Sequence, residues 1–195
     1  PGQAAWRLRT LDSPALLRRQ VEYFARPGAM AIYGLGKEIV RQLVETGRVK
    51  DIADLYDLQE DDFLGLEKFG EKSARNLVEA IRGSRDSDLW RLISGLGISL
   101  IGSEAAKCLA LNFRTMEALE SADSADFEAI DGIGPKMAQS LALYFQVEKN
   151  RERLQRLRES GVNMETRLEL AGSGTGPLEG KTFVLTGTLP TLSRD

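Results

Sequence analysis

Glycine recurs in this chain where backbone amides could bind an anion. The run apolar, x, x, apolar, glycine appears four times: Ile32-Tyr33-Gly34-Leu35-Gly36, Leu66-Glu67-Lys68-Phe69-Gly70, Ile98-Ser99-Leu100-Ile101-Gly102 and Ile130-Asp131-Gly132-Ile133-Gly134. The closing glycines are 34, 32 and 32 residues apart, the regularity of an internal repeat. Without a Cβ, glycine permits positive φ and lets a phosphate oxygen come close to main-chain amides. A helix starting just after it adds the positive end of its dipole, so an anion can be held without a net-basic protein. Lys37, Lys72 and Lys136 lie one or two residues past their glycines, where each could add a charge-assisted contact, and Ser103 takes that place after Gly102. The first and fourth runs are the best formed, because Lys68 and Leu100 stand where the other two would have their first glycine. Candidate backbone-binding residues are therefore Gly34, Gly36, Lys37, Gly70, Lys72, Gly102, Ser103, Gly132, Gly134 and Lys136.

The elements that must position these residues are pairs of helices. After each closing glycine, the positions three, four, seven and eight residues on are small or apolar: Ile39, Val40, Leu43, Val44; Ser73, Ala74, Leu77, Val78; Ala105, Ala106, Leu109, Ala110; Met137, Ala138, Leu141, Ala142. That stripe faces a core. Shorter helices are predicted before each run, over Ala15 to Ala25, Asp51 to Leu58, Asp88 to Leu96, and Thr115 to Ser121 with Ala125 to Ala129, and a charged helix over Asn150 to Ser160. Asp51, Ser87 and Thr115 are predicted N-caps, and Gly47, Gly83 and Gly161 predicted left-handed helix ends. Leu35, Phe69, Ile101 and Ile133 are read as plugs beneath the hairpins, the alternative being projection into a shallow minor groove. Val162 to Met164 reads as a short extended stretch, and the glycine-rich run Ala171 to Pro177 as linker.

The 195-residue chain is long enough for one substantial domain plus a smaller piece. It has no histidine and a single cysteine, Cys108, which excludes Ser-His or Cys-His catalysis, an internal disulfide and a multi-thiolate zinc site within these residues. Cys108 is read as a structural thiol. Net charge is −3, so any nucleic-acid contact must be local, despite basic groups such as Arg7, Arg9, Arg18 and Arg19. Nothing resembles a signal peptide or membrane span, and a cytoplasmic location is expected.

Several strings resemble the bacterial NAD-dependent DNA ligases: Phe24-Ala25-Arg26, Gly28-Ala29-Met30 with the first glycine run, Leu66 to Ala74, Leu96-Gly97-Ile98, and Gly132-Ile133-Gly134-Pro135. Leu178 to Leu189 resembles the opening strand and loop of that family's BRCT domain. The resemblance implies a mainly α fold of four tandem helix-hairpin-helix motifs, near 32–46, 66–82, 98–112 and 130–146, followed by a truncated α/β BRCT start. The expected divisions are 1–30, a zinc-finger remnant and lead-in helix; 31–165, the helix-hairpin-helix domain; 166–177, linker; and 178–195, BRCT, where Thr186 and Gly187 are candidate phosphate contacts. It further implies a partner in nicked double-stranded DNA, held without sequence preference. The ligase chemistry of replication and repair, with NAD and magnesium, belongs to other domains of such a protein. No catalytic residue or cofactor is assigned to this stretch, whose Lys50-Asp51-Ile52-Ala53 lacks the family's Lys-x-Asp-Gly nucleophile motif. Zinc is not expected either, because Leu8 and Ser13 occupy positions where relatives carry cysteines. Two other readings stay open, a helix-hairpin-helix module of another repair protein and a protein-interaction module.

Overall fold

The computed structural model describes residues 13–67 and 69–169. The expectations for Arg7, Leu8, Arg9, Lys68, the Ala171 to Pro177 linker and the BRCT segment with Thr186 and Gly187 lie outside those residues.

The described chain is mainly helical: α1 (Pro14–Ala25), α2 (Lys37–Glu45), a 3-10 turn (Ile52–Asp57), α3 (Glu60–Leu64), α4 (Glu71–Ser84), α5 (Leu89–Gly95), α6 (Ser103–Phe113), α7 (Met116–Ser121), α8 (Ser124–Glu128), α9 (Pro135–Gln146) and α10 (Glu148–Glu159). Among the described residues no strand forms, and Thr115 and Glu165 make an isolated antiparallel bridge. Helix α1 begins because Ser13 caps it, its Oγ accepting from the Leu16 amide at 3.2 Å with Pro14 in the first turn. The stretch expected as a helix from Asp51 folds as a 3-10 turn closed by a capping box, in which Asp51 accepts from Ala53 and Asp54 accepts from the Asp51 amide. Gly47 and Gly161 end their helices with positive φ, as expected.

Two expected boundaries are corrected. Gly83 does not stop a helix: α4 runs through it to Ser84, which is buried and donates to the Ile81 carbonyl while pairing with the Tyr56 hydroxyl. The N-cap of α5 is Asp88, not Ser87, because the Asp88 carboxylate accepts from the amides of Trp90 and Arg167 and from the Thr166 hydroxyl. Ser87 instead offers its carbonyl to the Asn163 side chain at 3.0 Å.

One apolar core runs from Val21 to Val162 and joins all the helix pairs. At the fourth and seventh positions after each closing glycine, Val40, Leu43, Ala74, Leu77, Ala106, Leu109, Ala138 and Leu141 are buried, whereas Ser73 is exposed. Burying such a leucine or valine contributes roughly 1.5–3 kcal/mol. Gly95 lets α5 press onto α1, since a Cβ there would meet Phe24 at 3.0 Å. Polar ties lock the halves together. Arg153, nearly buried, chelates Asp51 through three contacts of 2.7–3.0 Å, and Arg156 reaches Asp54 at 2.6 Å. After α10 the chain returns as a strap in which Asn163 bonds Arg85, Glu165 bonds Leu89, Met164 bonds Met116 and Thr166 bonds Arg114, each backbone to backbone. Thr166 is buried, so this anchored strap continues past residue 165, where the linker was expected to begin.

Candidate nucleic-acid interface

The four glycine runs share one local geometry. In each, the residue after the tight turn donates its amide back across three positions: Leu35 to Ile32, Phe69 to Leu66, Ile101 to Ile98 and Ile133 to Ile130, at 3.0–3.4 Å. The closing glycine is the N-cap, and its carbonyl accepts the first helical bond, from Val40, Ala74, Ala106 or Ala138. Leu35, Ile101 and Ile133 are buried and Phe69 partly so. They plug the hairpins from below.

The closing glycines are not there for conformational freedom. Gly36, Gly70, Gly102 and Gly134 have φ of −78°, −108°, −95° and −82°, ordinary extended values. Positive φ falls two residues earlier, at Gly34 (93°), Leu100 (68°) and Gly132 (85°). Nor do the closing glycines serve packing, because a Cβ built on any of the four meets nothing within 4 Å. Each stands at the mouth of a helix with no side-chain cap, where first-turn amides lack an i−4 acceptor; in the fourth, Pro135 brings no N–H and the Met137 amide donates to the Gly134 carbonyl, which leaves Lys136. Elsewhere the chain caps its helices with side chains, from Ser13, Asp51, Asp88, Thr115 and Asp123. Two further described helices lack a side-chain cap bond: α3, where Asp62 instead accepts from the Gln59 amide at 2.9 Å, and α10, which follows α9 directly with Asn150 tied back to Tyr144. The four bare N-termini, each with an open glycine, form surfaces where an anionic oxygen can reach main-chain N–H groups.

Lys37, Lys72 and Lys136 are exposed beside these turns, and no ion pair ties them to a described residue. Ser103 is placed differently from the expectation: its hydroxyl donates to the Gly28 carbonyl at 3.2 Å, and the Ser94 hydroxyl donates to the same oxygen at 3.1 Å. The Ser103 side chain therefore locks the third hairpin to the chain ahead of the first, leaving its amide for a ligand. Arg26 to Ser94, and Arg91 to the carbonyls of Pro27 and Ala29, complete this junction at 2.9 Å.

Sequence reasoning missed a groove against the first hairpin, lined by Arg19, Arg26, Tyr33, Gly34, Gly36 and Lys37. Arg19 and Arg26 are seven residues apart, two helical turns, which signals one face of the chain entering the hairpin. The Arg26 guanidinium lies over the Tyr23 ring at 4.1 Å. Tyr33 and Leu100, at the tips of the first and third hairpins, are the large exposed side chains there, 71% and 60% accessible.

The Cys108 thiol donates to the Asp131 carbonyl of the fourth hairpin at 3.3 Å. Burial first, and then the Asp131 charge, push its pKa up, which keeps it a thiol and a poor nucleophile. Among the described residues no group of three His, Cys, Asp or Glu side chains converges as a metal site, and no helix is long and apolar enough to cross a membrane.

Comparison with known proteins agrees with this geometry. Residues 30–82 match the family described as a SAM-like helix-hairpin-helix tandem, and residues 91–154 match the helix-hairpin-helix motif family. The fold and its bare glycine turns thus define a helix-hairpin-helix protein. Relatives then narrow the class. The chain is 48% identical over 178 residues to a DNA ligase of Methylacidiphilum infernorum, covering 91% of this chain and 26% of the relative. It is 47% identical over 195 residues to a DNA ligase of Heliobacterium modesticaldum and 44% over 194 to one of Thermoanaerobacter, covering 99% and 100% of this chain and 29% of each relative. The chain belongs with the helix-hairpin-helix segment of the DNA ligases, and it spans under a third of the length of these relatives.

Proposed function

We propose that this chain is the part of an NAD-dependent DNA ligase that grips duplex DNA by its backbone, through four tandem hairpins, while nicks are sealed elsewhere in the same protein. The observation that carries this reading is the fourfold coincidence of an uncapped helix N-terminus with a glycine whose missing Cβ leaves open space. Neither packing nor φ calls for glycine at those positions. Close approach of an external anion does, and a duplex presents phosphates along both strands. The contact atoms are the first-turn N–H groups after Gly36, Gly70 and Gly102 and that of Lys136 after Gly134, since Pro135 has no N–H and Met137 donates to Gly134, shaped by the turns at Gly34 and Gly132. Lys37, Lys72 and Lys136 supply charge.

Backbone contacts carry no base information, so binding should ignore sequence. Pairing the hairpins as 30–82 and 91–154 lets the two units follow strands on either side of an interruption, which favours nicked duplex as the partner, along with the ligase's catalytic domains. No step of nick sealing is assigned to the described residues. The BRCT assignment for 178–195 and a cytoplasmic setting belong to the same proposal.

The test is fluorescence anisotropy of the chain with matched nicked, intact and single-stranded DNA across a salt series. Duplex binding with a log–log slope of about −3.6, from about four phosphates, whatever the sequence, is expected. Absence of duplex binding at low salt would refute the reading and favour a protein-docking module.

A further inference from the structure

The third hairpin departs from its neighbours in a way the phosphate grip does not account for. At the place where the first and fourth hairpins have Gly34 and Gly132, it has Leu100, held at φ 68°. A left-handed conformation strains an L-residue, and glycine would avoid that strain. Packing does not offset it, because the Leu100 side chain is 60% exposed, while Ile98 and Ile101 on either side are buried. Tyr33, the other exposed tip, has a hydroxyl that water can satisfy. Leu100 has none.

The surroundings say what covers it. Leu100 stands two residues before Gly102, whose helix N-terminus is bare and open. The first turn of that helix carries no free cation among the described residues: the Ser103 hydroxyl is committed to Gly28, and Lys107 is paired with Glu104 at 2.9 Å. The third hairpin must therefore hold its partner by amides and by apolar contact. A duplex offers both together, since deoxyribose faces and minor-groove walls are the apolar surfaces adjoining each phosphate, and leucine is among the side chains that enter minor grooves.

We infer that Leu100 is an apolar contact residue that enters the minor groove of bound duplex against sugar and base edges, its strained backbone aiming the side chain outward. The inference rests on the DNA-binding reading above. It makes the third hairpin a reader of groove shape, where the first, second and fourth add lysine charge.

The test compares Leu100→Gly, Leu100→Asn and Leu100→Met in the whole chain, by duplex anisotropy across a salt series and by thermal melting. Glycine and asparagine both tolerate the left-handed backbone, so both variants should melt at or above the wild-type temperature. Both should bind duplex about fivefold more weakly with an unchanged salt slope, as expected for a partly buried leucine lost from a contact without charge. L100M should stay within about twofold of wild type. Wild-type affinity in L100G and L100N would overturn the inference while leaving the backbone grip intact. A shallower slope in L100G or L100N would also overturn it, because the lost contact would then be ionic, and failure of the wild type itself to bind duplex would remove both readings.

Discussion

Replacing Gly36 and Gly134 together by alanine separates recognition from folding. Both have ordinary negative φ, and a Cβ at either meets nothing within 4 Å, so the folded chain accepts the methyl groups without strain. Alanine is a poorer N-cap than glycine by about 1 kcal/mol, and the two sites lie in different matched units, so the costs add to about 2 kcal/mol. For a chain of this size that lowers the melting temperature by about 4–8 °C, leaving the protein folded at 25 °C. The methyl groups do intrude where a phosphate oxygen would approach the amides of the following turn. A hydrogen bond to a charged group contributes about 1.5–3 kcal/mol, so losing one at each hairpin should weaken duplex binding by about a hundredfold or more. Two fewer phosphates should move the salt slope from about −3.6 to about −1.8. Anisotropy with labelled duplex at several salt concentrations reads both quantities, and a circular dichroism melt reads the fold. A folded double variant with affinity within about twofold of wild type and an unchanged slope would refute the reasoning. Gly34→Ala is the wrong experiment, because φ of 93° makes it lose stability and binding together.

Arg153→Ala should leave the nearly buried Asp51 carboxylate without its chelating partner and destabilise the chain by about 3–5 kcal/mol, read as a drop of about 10 °C or more in melting temperature. Asp54 governs a pH dependence. Burial by itself raises its carboxyl pKa, but the Arg156 hydrogen bond and the amides of Lys50 and Asp51 outweigh that and hold it below the ordinary 3.8. A depressed folded pKa stabilises above the unfolded value and loses that contribution as pH falls through the folded one. Melting temperature should therefore decline below about pH 4, and Asp54→Asn should start lower and decline less steeply over the same window. Equal acid slopes for the two proteins would exclude Asp54 as a contributor.

Sequence alone determined the parts that depend on neighbouring residues. The spacing of Gly36, Gly70, Gly102 and Gly134 marked where each long helix begins, and the apolar stripes after them named the buried face. Asp51 and Thr115 were legible as caps because an N-cap reaches only two or three residues along the chain. The hairpin plugs were legible too, each being the apolar residue immediately before its closing glycine.

Tertiary structure decided whatever joins distant residues. The Ser103 hydroxyl meets Gly28 across 75 positions, and Arg153 meets Asp51 across 102. Asp88 displaced Ser87 as a cap because a strap more than seventy residues later arrives to use its carboxylate. Structure also changed the reason for the glycines. Their sequence pattern allowed close packing, positive φ or an open approach, and the choice among these depends on what occupies the space beyond the missing Cβ. At the four closing positions that space is empty, a property of the surrounding surface that no local run of residues encodes.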